Sequence, residues 1–378
     1  MNKIRLALDA SPLLLRSAGV KNYIYYWARG LMESAGENSL HLFPFLDRPG
    51  AVTHHRSVAG PLATIERLAL LRLSNSIPFP ILNWFAPDVD IFHASYPLRH
   101  PPRRPRLSAT IYDVTCWLMP EMHTATNVKI AKQMAEWMFR PADVLIAISE
   151  STRSDAVRVL GIAPDKIDVI YPGVADAFFE TNSRTARETA RRHGLEKPYA
   201  LYVGTLEPRK NLHVLLDAWD RLQPDLRREF DLVVVGSWGW GENSVLDRLR
   251  AGQSGVRYLG YVAEGDLPDV TAAASLFVYP SLYEGFGLPV AQAMAAGVPV
   301  ITSNVSSLPE VTGDAALLVD PRSQSELQAT LERLLPSPAL RSDFAERGRS
   351  RARQFRWTEC ARRSWALFER VCGATRKA

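Results

Sequence analysis

A glycine-rich segment between an apolar run and a helical pattern constrains the fold of this chain more than any other feature. Residues 274–279 are apolar and predict a buried strand. Residues 289–297 begin with proline and end with glycine, the pattern of a short helix. Gly285 and Gly287 lie in the turn between them, where backbone N–H groups and the helix dipole can bind an anion. This order of strand, turn and helix is typical of a parallel α/β protein.

Short apolar runs alternate with helical patterns along the whole chain. Strands are predicted at 4–8, 40–45, 91–94, 107–112, 144–148, 167–170, 199–203, 232–235, 256–259, 276–279, 298–302 and 316–319. Helices are predicted at 22–34, 151–160, 212–221, 267–273, 289–296, 324–334 and 341–371. This alternation predicts an α/β fold with two Rossmann-like parallel-sheet domains facing across a cleft.

Two polar segments indicate where the domains meet. The turn at 171–174 contains Pro-Gly, and residues 180–195 are mostly polar. A chain of 378 residues has room for two domains of ordinary size. We therefore expect an N-terminal domain at 1–175 and a C-terminal domain at 176–355.

Composition is that of a soluble globular protein, with 47% apolar and 22% charged residues. The N-terminus has a strand pattern instead of a signal peptide, and no run approaches the roughly 18 apolar residues of a membrane span. Cys116, Cys360 and Cys372 lack metal or disulfide spacing, which favours a reducing cytoplasm. The net charge of +5 is mild, and we expect no nucleic-acid partner.

A second anion site is predicted at 202–211, again between a strand and a helix. Gly204 permits close approach to the backbone, and Arg209 and Lys210 add positive charge before the helix. This combination suits a diphosphate that becomes a leaving group, although a solvated Arg-Lys pair is the alternative. Gly19, between the first strand and the first helix, could bring backbone to the same diphosphate or be an ordinary loop glycine.

The string at 280–292 resembles the donor-site signature of the retaining GT-B glycosyltransferases of family four. That signature is a Glu, then Gly-Phe-Gly, then a second Glu eight positions after the first. Here the first is Glu284, and the second position holds Gln292. The resemblance runs nearly end to end and is strongest over 199–320. It implies the GT-B fold, in which a C-terminal helix at about 356–378 crosses back to the first domain.

The resemblance also implies roles for the residues of this string. Glu284 would hold the donor sugar through its hydroxyls, and Gln292 would bind the ribose. The backbone N–H groups expected to face the donor are those of Phe286, Gly287 and Leu288.

Lys210 matches the lysine of the family's diphosphate-binding segment. In the family an arginine usually follows the glycine that corresponds to Gly204, and Thr205 stands at that position here. We therefore expect Arg209 to supply part of the positive charge that this arginine would give. Tyr112 replaces the histidine that sits by the donor sugar, and it would position substrate without moving protons. Val262 would hold the nucleotide base by backbone contacts. The loop that contains Gly19 would close on the donor.

Other polar residues at strand ends favour structural interpretations. His93 is read as a satisfied core histidine, and Asp113 as a cap or turn residue. Asp88 and Asp90 resemble a metal-binding Asp-x-Asp, but no cluster of ligands accompanies them in the sequence. We expect neither a metal nor another cofactor, so charge on the leaving group must be stabilised by Arg209, Lys210 and helix dipoles.

Residues 99–106 contain four arginines and a histidine, the clearest basic run of the chain. A solvated loop is one interpretation, and contact with anionic lipid headgroups or a lipid-diphosphate acceptor is the other. Upstream, the apolar-rich stretches 62–73 and 77–85 predict an acceptor-binding lid or ordinary core. We therefore expect a cytoplasmic protein, with peripheral contact at the inner face of the membrane as a further hypothesis.

We interpret the chain as a retaining glycosyltransferase that uses a GDP-mannose or UDP-sugar donor. The acceptor would be a hydroxyl of a glycan or lipid-linked molecule in cell-surface polysaccharide or glycolipid synthesis. One alternative is a catalytically weakened GT-B subunit that acts as a scaffold, which Tyr112, Thr205 and Gln292 favour. Another is a sugar-nucleotide epimerase, which would need extra acid/base carboxylates.

Overall fold

The computed structural model describes residues 3–15, 19–46, 57–85, 87–241, 243–252 and 255–373 of the chain. Two compact units are present: Met1–Gly173 together with Arg356–Ala378, and Val174–Phe355. The domain limits 1–175 and 176–355 stay predictions. Ser17 and Ala18 of the predicted donor loop, and residues 374–378 of the predicted terminal helix, lie outside the described residues.

The first unit is built on a sheet of six parallel strands in the order β2-β1-β3-β4-β5-β6. Its strands are β1 Arg5–Asp9, β2 Ser39–Phe43, β3 Ile91–Ala94, β4 Arg106–Ile111, β5 Val144–Ala147 and β6 Ile167–Val169. The four inner strands, β1, β3, β4 and β5, are short, mostly apolar and largely buried, as a parallel sheet covered by helices requires. The edge strands β2 and β6 are only partly buried. All six predicted strands are confirmed, with ends that differ by at most two residues.

Helices cover this sheet, and the last of them comes from the end of the chain. The helices of the first unit are α1 Gly19–Glu33, α2 Pro61–Ser76, α3 Leu82–Phe85, α4 Thr115–Leu118, α5 Ala125–Met134, α6 Glu150–Leu160 and α16 Trp357–Gly373. Trp27 of α1 donates to Ser364 Oγ at 3.0 Å, and Trp365 donates to the Leu31 carbonyl at 3.2 Å. Both indoles are buried, so α1 and α16 share one apolar contact.

The second unit repeats the architecture with the strand order β12-β11-β10-β7-β8-β9, again all parallel. Its strands are β7 Tyr199–Val203, β8 Asp231–Val235, β9 Val256–Gly260, β10 Leu276–Tyr279, β11 Val300–Ser303 and β12 Leu317–Val319. Its helices are α7 Ser183–Arg192, α8 Leu212–Asp220, α9 Pro224–Glu229, α10 Asn243–Arg250, α11 Leu267–Ala272, α12 Leu288–Ala295, α13 Leu308–Thr312, α14 Gln324–Leu334 and α15 Pro338–Ala352. The six strands predicted here are confirmed as well.

One prediction about the helices was wrong. The continuous helix expected at 341–371 is interrupted, because α15 ends at Ala352 and α16 begins at Trp357. Phe355 lies in the interruption and packs its ring edge-on against Phe286 of the second unit at a centroid distance of 5.2 Å. The polar stretch 180–195, which we expect near the domain junction, forms α7 over most of its length, within the second unit.

No helix among the described residues is long and apolar enough to cross a membrane.

The carboxyl end of β8 depends on a glycine. Gly236 has a φ of 145°, and a Cβ built there would lie 1.8 Å from the carbonyl oxygen of Gly204, which follows the neighbouring strand β7. Neither the backbone conformation nor the space admits a side chain, so the loop after β7 keeps its position only while residue 236 is glycine.

We expect Gly236→Ala to lower the free energy of unfolding by about 2 kcal/mol or more, because a strained dihedral and a backbone clash add together. Denaturant unfolding followed by circular dichroism measures this change. Gly265→Ala is the matched control, since a Cβ at that exposed loop position meets no atom within 4 Å. Equal unfolding midpoints for the two variants would contradict the argument.

Candidate functional site

Two of the predicted motifs meet at the carboxyl edge of the second sheet. Arg209 and Lys210 lie in a short 3-10 turn, Pro208–Lys210, that follows β7, and Glu284 follows β10. Because β7 and β10 are neighbours and parallel, their carboxyl ends lie side by side. The Lys210 Nζ is 2.5 Å from Glu284 Oε1, and the Arg209 guanidinium is 3.4 Å from the same oxygen. The structure thus joins residues 74 positions apart into one buried charge cluster.

Glu284 is fixed by contacts from several sides. Its Oε1 also accepts from Ser281 Oγ at 2.7 Å, and its backbone N–H donates to Ser306 Oγ at 2.9 Å. Burial alone would raise the pKa of this carboxyl, but Lys210, Arg209 and the hydrogen bonds outweigh it and lower the pKa to about 2. Glu284 is therefore a carboxylate throughout the neutral range.

Three side chains converge on one oxygen of Glu284. Lys210, Arg209 and Ser281 all contact Oε1. These contacts anchor the carboxylate, whose second oxygen, Oε2, has lone pairs of the kind that accept a ligand hydroxyl.

The two cations of the cluster are held differently. The Lys210 side chain is 12% exposed, and its ammonium lies 5.3 Å from the centroid of the Tyr279 ring. Burial and the neighbouring Arg209 lower the pKa of Lys210. Arg209 pairs with Glu207 at 2.7 Å and donates to the Tyr283 carbonyl, so its guanidinium is bonded within the unit. The expected share of Arg209 in diphosphate binding stays a prediction, and these bonds show that it also fixes the loop at Tyr283.

The helix α12 begins directly after the glycines of the signature. Gly287 is its N-cap with a φ of 87°, which only glycine adopts without strain. Leu288 opens the helix, and Gln292 lies one turn further on the same face. The N–H groups of a first helical turn have no acceptor within the helix, and the dipole there is positive. The Phe286 ring instead packs into the core, so only its backbone can serve a ligand.

The remaining predicted residues of the second unit end the neighbouring strands. Gly204 follows β7 and donates its N–H to the Val235 carbonyl at 2.9 Å. Thr205 comes next and is half-buried, while Val262, buried, comes two residues after β9. With Glu284 after β10, three strands of one sheet thus deliver predicted donor residues to the same edge, where ligands of open α/β sheets bind.

Tyr112 and Gly19 belong to the first unit. Tyr112 follows β4, and its ring meets Tyr23 edge-on at 5.1 Å. Its hydroxyl is buried with no hydrogen-bond partner in the described chain. Burial, with a smaller effect of Asp9, raises the pKa of Tyr112, so it stays protonated. Gly19 is the first residue of α1, and a Cβ there would meet nothing within 4 Å.

The structural interpretations of other polar residues are confirmed. His93 is fully buried between Ser108 Oγ and Thr110 Oγ1, at 2.8 and 3.0 Å, and burial lowers its pKa to about 3. Asp113 accepts from the backbone and hydroxyl of Thr115, as a turn residue does.

Asp88 and Asp90 both pair with Arg5, at 2.6 and 3.2 Å, and so hold the start of β3 to β1. In the described ranges, no group of three or more His, Cys, Asp or Glu side chains could hold a metal ion.

Sequence reasoning missed Asp9 as a structural centre of the first unit. Its fully buried carboxylate ends β1 and accepts from the Ser11 backbone at 3.0 Å and from the Ser95 and Tyr96 backbones at 3.1 and 2.9 Å. Burial raises its pKa despite these bonds. An acidic residue at the end of an otherwise apolar strand was the signal, because a buried carboxylate must find several donors.

A cavity of about 280 Å³ adjoins this centre. The residues that line it are Ser11, Leu15, Leu68, Leu71, Arg72, Asn75, Ser76 and Tyr96. Five of these residues come from α2, two of them apolar and three polar or charged. The cavity therefore combines an apolar wall with polar side chains, as ligand sites do.

Sequence comparisons agree with this arrangement. The family described as "Glycosyltransferase Family 4" matches residues 17–178, and "Glycosyl transferases group 1" matches residues 184–351. The chain is 35% identical over 263 residues to O-antigen chain mannosyltransferase B of Escherichia coli, a match that covers 69% of each protein. It is 31% identical to D-inositol 3-phosphate glycosyltransferase of Nocardioides sp., over 64% of this chain and 57% of that protein.

Solved structures share the fold at low sequence identity. Sucrose-phosphate synthase from Thermosynechococcus elongatus superposes with a TM-score of 0.73 at 21% identity, covering 99% of this chain and 100% of that one. Anabaena HepE, solved in complex with UDP and glucose, gives a TM-score of 0.71 at 18% identity, covering 97% and 100%. The two six-stranded parallel sheets, the family matches and the 35% identical relative lead to one conclusion: this chain belongs to the group 1 (family four) glycosyltransferases and is a glycosyltransferase with the two-domain GT-B fold.

Proposed function

We propose that this glycosyltransferase transfers mannose from GDP-mannose to a hydroxyl of a growing cell-surface polysaccharide, with the anomeric configuration retained. The observation that carries the proposal is the anchored Glu284–Lys210 pair beside the N-terminus of α12. Mannose as the sugar is supported by the relatives named O-antigen chain mannosyltransferase B and serotype-specific mannosyltransferase WbdA. The chain spans only 29% of the length of that second relative. A UDP-sugar is the alternative donor, which the complex of HepE with UDP and glucose supports.

In this proposal the second unit binds the donor. Glu284 Oε2 accepts hydrogen bonds from sugar hydroxyls, while Lys210 and the backbone N–H groups at Gly287 and Leu288 face the diphosphate. When the anionic ligand binds, the Lys210 ammonium bonds to the diphosphate leaving group as well as to Glu284. Gln292 bonds the ribose as a neutral amide, and the backbone at Val262 contacts the base.

Retention needs no nucleophile from the enzyme. The bond between the anomeric carbon and the diphosphate oxygen breaks, and the acceptor oxygen forms its bond on the same face. The acceptor proton moves to the departing diphosphate oxygen, so the diphosphate is both leaving group and base. The chain contributes orientation, exclusion of water and preorganised charge, which together lower the barrier without a proton-transferring side chain.

We place the acceptor in the first unit, in the cavity beside Asn75 and Tyr96, where hydroxyl, amide and apolar groups can contact a glycan. Tyr112 positions substrate through its protonated hydroxyl. Neither a metal nor another cofactor takes part in the proposal, since the charge of the leaving group is balanced by Lys210 and helix N-termini.

The direct test is an assay of the purified chain with GDP-mannose and with UDP-sugars, using synthetic mannosyl acceptors. We expect transfer from GDP-mannose with an α-configured product, observed as the anomeric proton by NMR. The rate should be unchanged in excess chelator, because the leaving group needs no divalent cation. A β-linked product would contradict retention, and a loss of turnover that manganese restores would contradict the metal-free site.

Lys210→Ala should lower kcat/KM by about a hundredfold, since one preorganised contact to the leaving group is worth roughly 3 kcal/mol. Steady-state kinetics with saturating acceptor gives this ratio. Lys197→Ala is the matched control, because Lys197 is an exposed lysine of the same unit whose nearest carboxylate lies 3.8 Å away. If the Lys210 variant stays folded and turns over normally, the diphosphate assignment is wrong.

Exchanges of acid and amide at Glu284 and Gln292 should have opposite effects. Glu284→Gln keeps an acceptor oxygen but leaves the Lys210 charge without its partner, so we expect loss of activity. Gln292→Glu restores a charge toward the ribose and should lower the Michaelis constant of the donor about fivefold, for a gain of roughly 1 kcal/mol. Full activity of the first variant together with inactivity of the second would show that the site is arranged differently.

A further inference from the structure

Exposed apolar side chains are concentrated in one stretch of the first unit. The described residues include seven strongly exposed large apolar side chains, and all but Tyr261 lie between Phe45 and Trp84. Those on and after α2 form what we name the apolar face, with exposed fractions from 52% to 80%: Leu62, Ile65, Leu73, Phe79 and Trp84. Single exposed leucines are ordinary, but a cluster of this kind marks a binding surface.

The helix α2 is apolar on two opposite sides. Leu62, Ile65 and Leu73 are spaced by three and eight residues, which places them along one outward stripe. On the inward side Leu71 is buried, and Leu68 packs against the core of the first unit. The inward stripe is sufficient to hold a surface helix, so packing of this unit does not account for the outward stripe.

Arginines lie beside the apolar face and are held there by the backbone. Arg99, Arg103 and Arg104 are exposed, and none has an ion pair in the described part of the chain. The backbone N–H of Arg99 donates to Asn75 of α2, and that of Arg103 donates to Asn83 of α3, both at 2.8 Å. The basic run is therefore tied at two points to the helices that carry the apolar face.

The charge of the whole region is positive. Residues 61–106 contain six arginines and three acidic residues. Two of those acids, Asp88 and Asp90, are already paired with Arg5 outside the region, which leaves Glu66 as the one acid of α2. A self-complementary contact between two copies would bring these arginines toward the same arginines, and like charges oppose such a contact.

We propose that the apolar face and the basic run together form a docking surface for an anionic lipid bilayer. The arginines contact lipid phosphates, while Trp84 and Phe79 insert at the headgroup level that aromatic side chains prefer. The outward stripe of α2, formed by Leu62, Ile65 and Leu73, lies along the membrane–water interface. An apolar stripe and a basic patch are two separate signals, and stable peripheral anchoring takes two.

Co-sedimentation of the full chain with vesicles, without donor or acceptor, tests the surface independently of the proposed reaction. We expect binding to phosphatidylcholine vesicles that contain about one third phosphatidylglycerol and no binding to phosphatidylcholine alone. The triple variant Arg99→Ser, Arg103→Ser, Arg104→Ser should lower the partition coefficient by about a hundredfold, at roughly fivefold for each arginine. The double variant Phe79→Ser, Trp84→Ser should also lose binding to the anionic vesicles at low salt, because the basic run alone lacks the apolar contribution.

Matched controls separate these effects from general charge loss. Arg187→Ser, Arg191→Ser, Arg353→Ser removes three exposed arginines of the second unit and should leave vesicle binding unchanged. All substituted side chains are exposed, so unfolding midpoints should not move. The proposal is overturned if the control triple reduces binding as much as the first triple. It is also overturned if the chain does not bind to anionic vesicles. A third contrary result would be a dimer of the unsubstituted chain, seen by light scattering, that is absent in the Phe79→Ser, Trp84→Ser variant.

Discussion

The buried pair of Lys210 and Glu284 couples the two sequence motifs of the second unit. Each charge by itself would be costly to remove from water, and each is tolerated because the other is 2.5 Å away. The pair also ties the loop after β7 to the loop after β10, at the edge where the sheet opens to ligands. Donor binding and local folding therefore depend on the same contact, and a substitution at either position affects both.

Charge balance distinguishes this site from a simple cationic pocket. Arg209 and Lys210 are offset by Glu207 and Glu284, so the cluster is close to neutral before a ligand arrives. The positive end of α12 then becomes the main uncompensated attraction for a diphosphate. Such a site has fixed dipoles in place in advance and does not need to gather mobile side chains, which is the condition for electrostatic preorganisation.

The sequence was sufficient for the twelve strands, because each is a short apolar run bounded by turn residues, and a parallel sheet buries both of its faces. It also located Lys210, Glu284 and the start of α12. It did not reveal that Arg209 bonds to Tyr283, since that contact joins two loops through the fold. Helical periodicity likewise continued through Phe355, where tertiary packing against Phe286 interrupts the helix. Local patterns thus predicted elements and motifs, whereas partners distant in sequence required the structure.

The position of α16 has a consequence for biosynthesis. The first unit begins early in the chain, but the hydrogen bonds of Trp27 and Leu31 join α1 to Ser364 and Trp365 of α16. During translation, the sheet of the first unit emerges from the ribosome before α16 has been made, so its α1 surface is still uncovered. The second unit, formed by a continuous segment, is complete before α16 leaves the ribosome. The first unit therefore stays unfinished while the second unit matures, and a chain that stops before α16 would leave the α1 surface of the first unit uncovered.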